Sequence, residues 1–401
     1  MADHSPFPFG DSDDDGQNPF AGLPFFGEMM KMFADQGPVQ WDTARQVAHM
    51  TATGGQAESN PDPAARMSFV DLGRIVVDQL EAVTGRLHPV LAVEPAVVTR
   101  TLWVDATLED YKPFFTDLAT ALAQRPEPDT DDDPMAAMLG QFSGLLAPTM
   151  MGMTVGSMVG LLGKRSLGQY DLPLPRRAGR APMFVLTNID EFAVEWNLST
   201  DDARMWTLIS ELTLHSIISV PHVAAEIDRL VRSHVAAFRP DPHAIMDKLS
   251  SIESSDPMQI MQSLQSVLGD PEVLLGAMRS PEQDRLQPHI DTALSLVVGW
   301  ADHIADQVGA RILGNPARIS EAARRRRIES GEETTFVERL LGLRLDRSRV
   351  EQGKSFVAGV VERAGTTGLD PLFDRTNSLP TKAELEAPGL WLARLEISDA
   401  D

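Results

Sequence analysis

Residues 209–215 read Ile-Ser-Glu-Leu-Thr-Leu-His and include the side chains best placed to do chemistry. In an H-E-x-x-H helix, two imidazoles four residues apart hold one zinc ion, and the glutamate between them activates the bound water. This segment keeps the glutamate as Glu211, but it has Ser210 and Leu214 where the imidazoles would stand. Leucine has no lone pair, and a neutral serine hydroxyl is a poor zinc ligand. The segment therefore keeps the glutamate of a zinc-hydrolase helix and lacks both of its metal donors.

Other polar residues near this segment offer two further interpretations. Glu211 and His215 are four residues apart, so they are expected to pair across one helical turn. A zinc site at a different place in the fold, a relocated zinc site, is a second possibility. The alternative is that each histidine is an ordinary buried or surface residue. The donors for such a relocated site would be His215, His222, His234, Asp302, His303 and Asp306.

The elements that must position these residues are mostly helices. Ser199 and Asp202 have capping-box spacing, and they predict a helix from Ser199 to Ser219 that ends before Pro221. Apolar residues recur at steps of three and four in most other segments, as in amphipathic helices. Short apolar runs at 183–186 and 192–196 are the candidate strands. The sequence predicts a mainly α fold with few short strands.

Residues 135–163 are uncharged and could span a membrane. Small residues recur there at Gly152, Gly156 and Gly160, a spacing that lets helices approach closely. The alternative is a buried pair of helices broken at Pro148, a helical hairpin. Because glycine, methionine and serine dilute the hydrophobicity, we expect the hairpin and no stable membrane insertion.

Composition narrows the classes of partner. The chain has 401 residues and a formal net charge of −23, which would repel a phosphate backbone, so no nucleic-acid partner is expected. It has no cysteine, which excludes disulfides and thiolate metal sites. Residues 1–37 are acidic and lack the features of a secretory leader, so a cytoplasmic location is expected. Residues 310–365 are locally basic and would suit an anionic partner or the acidic N-terminal segment; a solvated helix face is the alternative.

The sequence also resembles a known family, the zincin-like metallopeptidases of actinobacteria and their relatives, some of which are associated with deazaflavin-coenzyme biosynthesis. The resemblance extends from about residue 37 to 397 and depends on the order and spacing of several short segments. These segments are 37–42 (GPVQWD), 44–46 (ARQ), 171–175 (DLPLP), 211–223, 295–309, 324–327 (RRRR), 340–343 (LLGL) and 379–381 (LPT).

This resemblance implies a zincin-like fold and a set of metal-ligand positions. In the family pattern, the zinc helix is followed by a carboxylate ligand on a second helix, just before a glycine. The matching position here is Val298, before Gly299. The resemblance thus implies that the three ligand positions are Ser210, Leu214 and Val298, none of which can bind zinc, and that Glu211 is a vestigial general base.

Together these observations predict a pseudoenzyme: a non-catalytic binding or regulatory protein with a protein or peptide partner and no cofactor. The alternative is an active zinc-dependent metallopeptidase with an unusual ligand set, in which His215 would be a weak substitute ligand. The predicted division of the chain is an acidic N-terminal segment at 1–37, an N-terminal helical region at 38–125, a linker, apolar hairpin and extended loop at 126–180, and a zincin-like helical domain at 181–397.

Overall fold

A computed structural model describes residues 37–123, 134–239, 280–328, 331–344 and 346–398. The predicted acidic segment, up to residue 36, and residues 126–133 of the predicted linker lie outside these residues.

Helices account for most of the described chain, which confirms the predicted mainly α fold. They are α1 (Trp41–Thr53), α2 (Pro63–Thr84), α3 (Arg100–Ala123), α4 (Pro134–Arg165), α5 (Leu186–Glu195), α6 (Thr200–Ile218), α7 (Pro221–Ala236), α8 (Pro281–Ile312), α9 (Pro316–Ile328), α10 (Gly331–Leu340), α11 (Arg347–Ala364), α12 (Pro371–Asp374), α13 (Lys382–Glu386) and α14 (Pro388–Ser398). Short 3₁₀ turns lie at Pro89–Ala92 and Thr366–Leu369. Strands β1 (Ala96–Val97) and β2 (Met183–Phe184) form one parallel pair.

The candidate strand at 192–196 is wrong, because these residues belong to the end of helix α5 and its C-cap. The buried residues of α5 are Leu186, Asn188, Ile189, Phe192 and Ala193. Steps of three and four between them match one face of a helix. The short apolar run alone could not separate the two structures.

The predicted hairpin at 135–163 is also wrong, because α4 is one continuous helix with Pro148 inside it. A proline in a helix removes one backbone hydrogen bond and bends the axis without requiring a turn. The Pro148 carbonyl accepts a hydrogen bond from the Gln40 amide at 2.9 Å, just before α1. A Cβ on Gly156 would lie 2.4 Å from the Ala44 carbonyl oxygen. The small residues of α4 therefore let α1 cross it closely.

One hydrophobic cluster includes residues from both ends of the described chain, among them Ala44, Trp103, Leu208, Val297 and Trp391. Ion pairs also connect distant parts: Arg86 after α2 contacts Asp370 at 3.0 Å, and Arg232 on α7 contacts Asp117 on α3 at 2.7 Å. The predicted division into regions stays a prediction.

No single helix within the described ranges is both long and apolar enough to cross a membrane. The bent pair formed by α6 and α7 reaches the threshold by length and composition only.

Candidate active site

Helix α6 presents five of its residues to a cavity of about 140 Å³. The Ser199 hydroxyl accepts the Asp202 amide at 3.4 Å and caps the start of the helix, as its spacing predicts. Thr207, Ser210, Glu211 and Leu214 recur at steps of three and four and so lie on one face. The apolar part of the cavity wall is formed by Leu167, Trp206, Leu214 and Ala323.

Glu211 lies at this cavity with only 7% of its surface exposed. Its Oε2 accepts the backbone N–H of Tyr170 at 2.8 Å. Gly168 makes the approach possible, since a Cβ there would lie 2.3 Å from the Glu211 Cδ. Burial raises the pKa of Glu211 to about 8, although the Tyr170 amide opposes this shift. The carboxyl group is therefore mainly protonated at pH 7.

His215 is buried one turn further along α6, and its contacts correct the predicted Glu211–His215 pair. The Tyr170 hydroxyl lies 2.7 Å from His215 Nδ1, and the Ser219 hydroxyl lies 2.9 Å from the same atom. Burial lowers the pKa of His215 to about 4. Tyr170 thus contacts both residues, through its amide and its hydroxyl, because it lies against this face of the helix.

The segment 168–171 reaches α6 because buried side chains hold its backbone. Trp103 on α3 donates its indole N–H to the Gly168 carbonyl at 2.9 Å. Arg176 donates to the Gln169 carbonyl at 2.6 Å and lies 3.7 Å from the buried carboxylate of Asp110. None of these supporting contacts is predicted from the sequence. Apart from the resemblance at 171–175, no local pattern connects these residues to Glu211.

The structure brings together two of the three ligand positions that the resemblance implies. Ser210 and Leu214 line the cavity beside Glu211. Val298, on α8, is half-buried, and its side chain is not part of the described cavity wall. Trp300 of the same helix reaches α6 from another side, with its indole nitrogen 3.4 Å from the Ser216 hydroxyl.

Sequence comparison decides the family. The profile of the zincin-like metallopeptidases matches residues 39–392, nearly the whole chain. The chain belongs to the zincin-like metallopeptidase family. No curated protein matches it.

The fold of this zincin-like protein is also similar to a solved structure. A crystal structure from Chloroflexus aurantiacus, described as that of a candidate hydrolase with a novel fold, matches with a TM-score of 0.61 and 23% sequence identity. The match covers 89% of this chain and 99% of that chain. At this identity the similarity shows a shared fold.

The histidines considered for a relocated zinc site lie in separate places in this zincin-like fold. His222 Nε2 lies 3.0 Å from the Leu372 carbonyl, and His234 lies near Gln283. Asp302 and Asp306 both contact Lys354, and His303 lies 2.7 Å from Gln307. In the described ranges, no group of three His, Asp or Glu side chains is arranged to hold a metal ion.

Two arginines also line the cavity. Neither is predicted as a site residue from the sequence. Arg165, at the end of α4, pairs with Asp171 at 2.7 Å. Arg326, on α9, donates to the Arg165 carbonyl and lies 5.5 Å from the centre of the Phe192 ring. The run 324–327 contributes to the family resemblance, but its spacing does not reveal which arginine faces the cavity.

Proposed function

We propose that this zincin-like protein holds no zinc and acts as a non-catalytic binding protein through its former peptidase cleft. The observation that carries the proposal is the set of side chains on α6. A hydroxyl at Ser210 and an aliphatic chain at Leu214 flank Glu211, where a peptidase helix would present two imidazoles.

The remaining polar groups at the cavity do not replace the missing donors. A catalytic zinc ion takes three protein ligands and leaves a fourth position for water. Asp171 is paired with Arg165, and the Glu211 carboxylate accepts the Tyr170 amide. Glu211 stands at the general-base position, which is not a zinc-ligand position in an H-E-x-x-H helix. These residues do not fit a zinc ion.

The cavity retains the composition of a binding site. It combines an apolar wall with a few polar groups, as ligand pockets do. A peptidase cleft is shaped to bind a polypeptide, so a protein or peptide is the partner that we propose. Binding without turnover requires no activated water, so the loss of the imidazoles leaves this role intact.

The test is the zinc content of the purified, untagged protein after incubation in zinc-replete buffer without chelator. We expect less than about 0.1 zinc ion per chain, since no ligand set offsets the cost of dehydrating the ion. The same protein treated with chelator and then reloaded serves as the control for loss during handling.

A second measurement decides between the proposal and an active peptidase. If the protein holds about one zinc ion per chain, and if Glu211→Gln abolishes hydrolysis of a peptide library, the chain is a metallopeptidase with an unusual ligand set. Absence of both zinc and hydrolysis supports the binding role.

A further inference from the structure

We propose that the cavity beside Glu211 binds a carboxylate that carries a short apolar group, with Arg326 as the residue that receives the carboxylate. This inference rests on the proposed binding function and names the chemistry of its ligand. The two sources of such a group are the C-terminal residue of a peptide and a free short-chain acid.

Arg326 is the first observation behind this inference. Its side chain is half-buried at the cavity, where it contacts the Arg165 carbonyl and the Phe192 ring. Within the described residues, no carboxylate lies at ion-pair distance from it. The two acidic residues that line the cavity have other partners: Asp171 pairs with Arg165, and Glu211 accepts the Tyr170 amide. Arg326 can therefore offer N–H donors to a ligand.

Burial makes this cation costly without a ligand. Loss of water around the guanidinium lowers the pKa of Arg326 from its ordinary value. The charge of Asp171 opposes this shift, the charge of Arg165 adds to it, and the charge of Glu195 opposes it. An anion in the cavity would offset the loss of water and the charge of Arg165. A guanidinium and a carboxylate also match in shape, since two parallel N–H donors meet two oxygens.

The surroundings favour a carboxylate over a phosphate. The carboxylate of Asp171, which lines the cavity, would repel a dianion more strongly than a monoanion. Leu167, Trp206 and Ala323 provide an apolar surface beside Arg326. The cavity of about 140 Å³ is close to the roughly 150 Å³ that accommodates a benzene-sized group, so the apolar group must be small.

The test is calorimetric titration of the full chain with four probes. These are N-acetyl-alanyl-leucine, its C-terminal amide, butyrate and inorganic phosphate. We expect the free-acid dipeptide to bind at least about tenfold more tightly than its amide, since a charged hydrogen bond is lost in the amide. Butyrate binding as tightly as the dipeptide supports the inference and assigns a free acid as the source; weaker butyrate binding assigns the peptide.

Matched variants on helix α9 identify the residue. Arg326→Gln is expected to weaken dipeptide binding at least about tenfold. Arg325→Gln removes the same charge from the next residue, which is exposed and paired with Glu321 at 2.7 Å, and is expected to leave the affinity unchanged. Equal affinities for both variants would overturn the inference, as would phosphate binding more tightly than the dipeptide.

Chemical modification of the wild-type protein covers the case in which Arg326→Gln does not fold. Phenylglyoxal modification of Arg326, followed by mass spectrometry, is expected to slow in the presence of the free-acid dipeptide, while modification of Arg325 is unaffected. If the protein holds no zinc, and no carboxylate probe binds it or slows the modification of Arg326, this inference fails and the non-catalytic role stands. If the protein holds zinc and cleaves peptides, the proposed function fails whatever binds at Arg326.

Discussion

Tyr170 contacts two buried residues of helix α6, Glu211 through its backbone amide and His215 through its hydroxyl. Helical periodicity is local, so the sequence identified Glu211 and His215 as neighbours on one helix face. Their shared partner, Tyr170, lies 41 residues before Glu211. Its position depends on Trp103 and Arg176, which donate to the carbonyls of Gly168 and Gln169 just before it. Contacts over such separations leave no local pattern to read.

Burial of Glu211 leads to a prediction about stability and pH. The pKa of Glu211 is about 8 in the folded protein and 4.5 as its ordinary value. Between these values the folded chain holds a proton that the unfolded chain has released, so the free energy of unfolding falls as pH rises. The slope from this group is at most about 1.4 kcal/mol per pH unit. Glu211→Gln removes this titratable group and its pH dependence, so the variant should gain stability relative to wild type as pH rises from 4.5 to 8.

Urea denaturation at several pH values checks this expectation. Exposed Glu351 on α11 offers a matched control, and Glu351→Gln should keep the wild-type dependence on pH. Parallel stability curves for Glu211→Gln and wild type across this window would show that Glu211 is ionised in the folded protein.

At the scale of elements, the spacing of small residues predicts helix packing correctly, whereas two of the predicted structures are wrong. The recurring glycines of α4 indicated close helix packing, and Gly152, Gly156 and Gly160 indeed lie against α1. Pro148 was interpreted as a break, yet the helix continues through it. The strand predicted at 192–196 is wrong for a related reason, since a short apolar run suits either a strand or a helix.

The crossing of α1 and α4 allows a test by substitution. A Cβ on Gly156 would meet backbone at Ala44, which cannot move aside as a flexible side chain could. We expect Gly156→Ala to lower the free energy of unfolding by about 1–3 kcal/mol, despite a gain of up to about 1 kcal/mol in helix propensity. Thermal and urea unfolding would measure this loss.

Gly309 in α8 provides the control for helix propensity. The nearest atom to a Cβ there is the flexible end of Leu313, at 3.3 Å. Gly309→Ala should therefore match wild type or exceed it by up to about 1 kcal/mol. If both alanine variants are equally stable, α1 and α4 are less tightly packed than the structure indicates.

At the scale of the whole molecule, the family could be predicted because it depends on the order and spacing of many short segments, which a sequence preserves. The chemistry of the cavity could not be predicted in this way, because its two cations lie on helices that are far apart in the sequence. Arg165 ends α4 and Arg326 lies on α9, and both meet α6 only in the folded chain. The bond from Trp103 to Gly168 likewise joins the N-terminal helices to the segment that supports Glu211.

These cross-connections predict that the described chain unfolds as one unit. Helix α3 contributes Trp103 to the same hydrophobic cluster as α6 and α8, and Arg86 after α2 contacts Asp370 near the other end. Separating 38–125 from the rest would expose that shared core to water.

Guanidinium unfolding followed by far-UV circular dichroism and by tryptophan fluorescence should therefore give coincident transitions. Trp103→Phe, which removes the hydrogen bond to Gly168, should move both midpoints together to lower denaturant. Two separated transitions, or a shift in one probe only, would mean that the N-terminal helices form an independent domain and that the cavity's support is not coupled to the core.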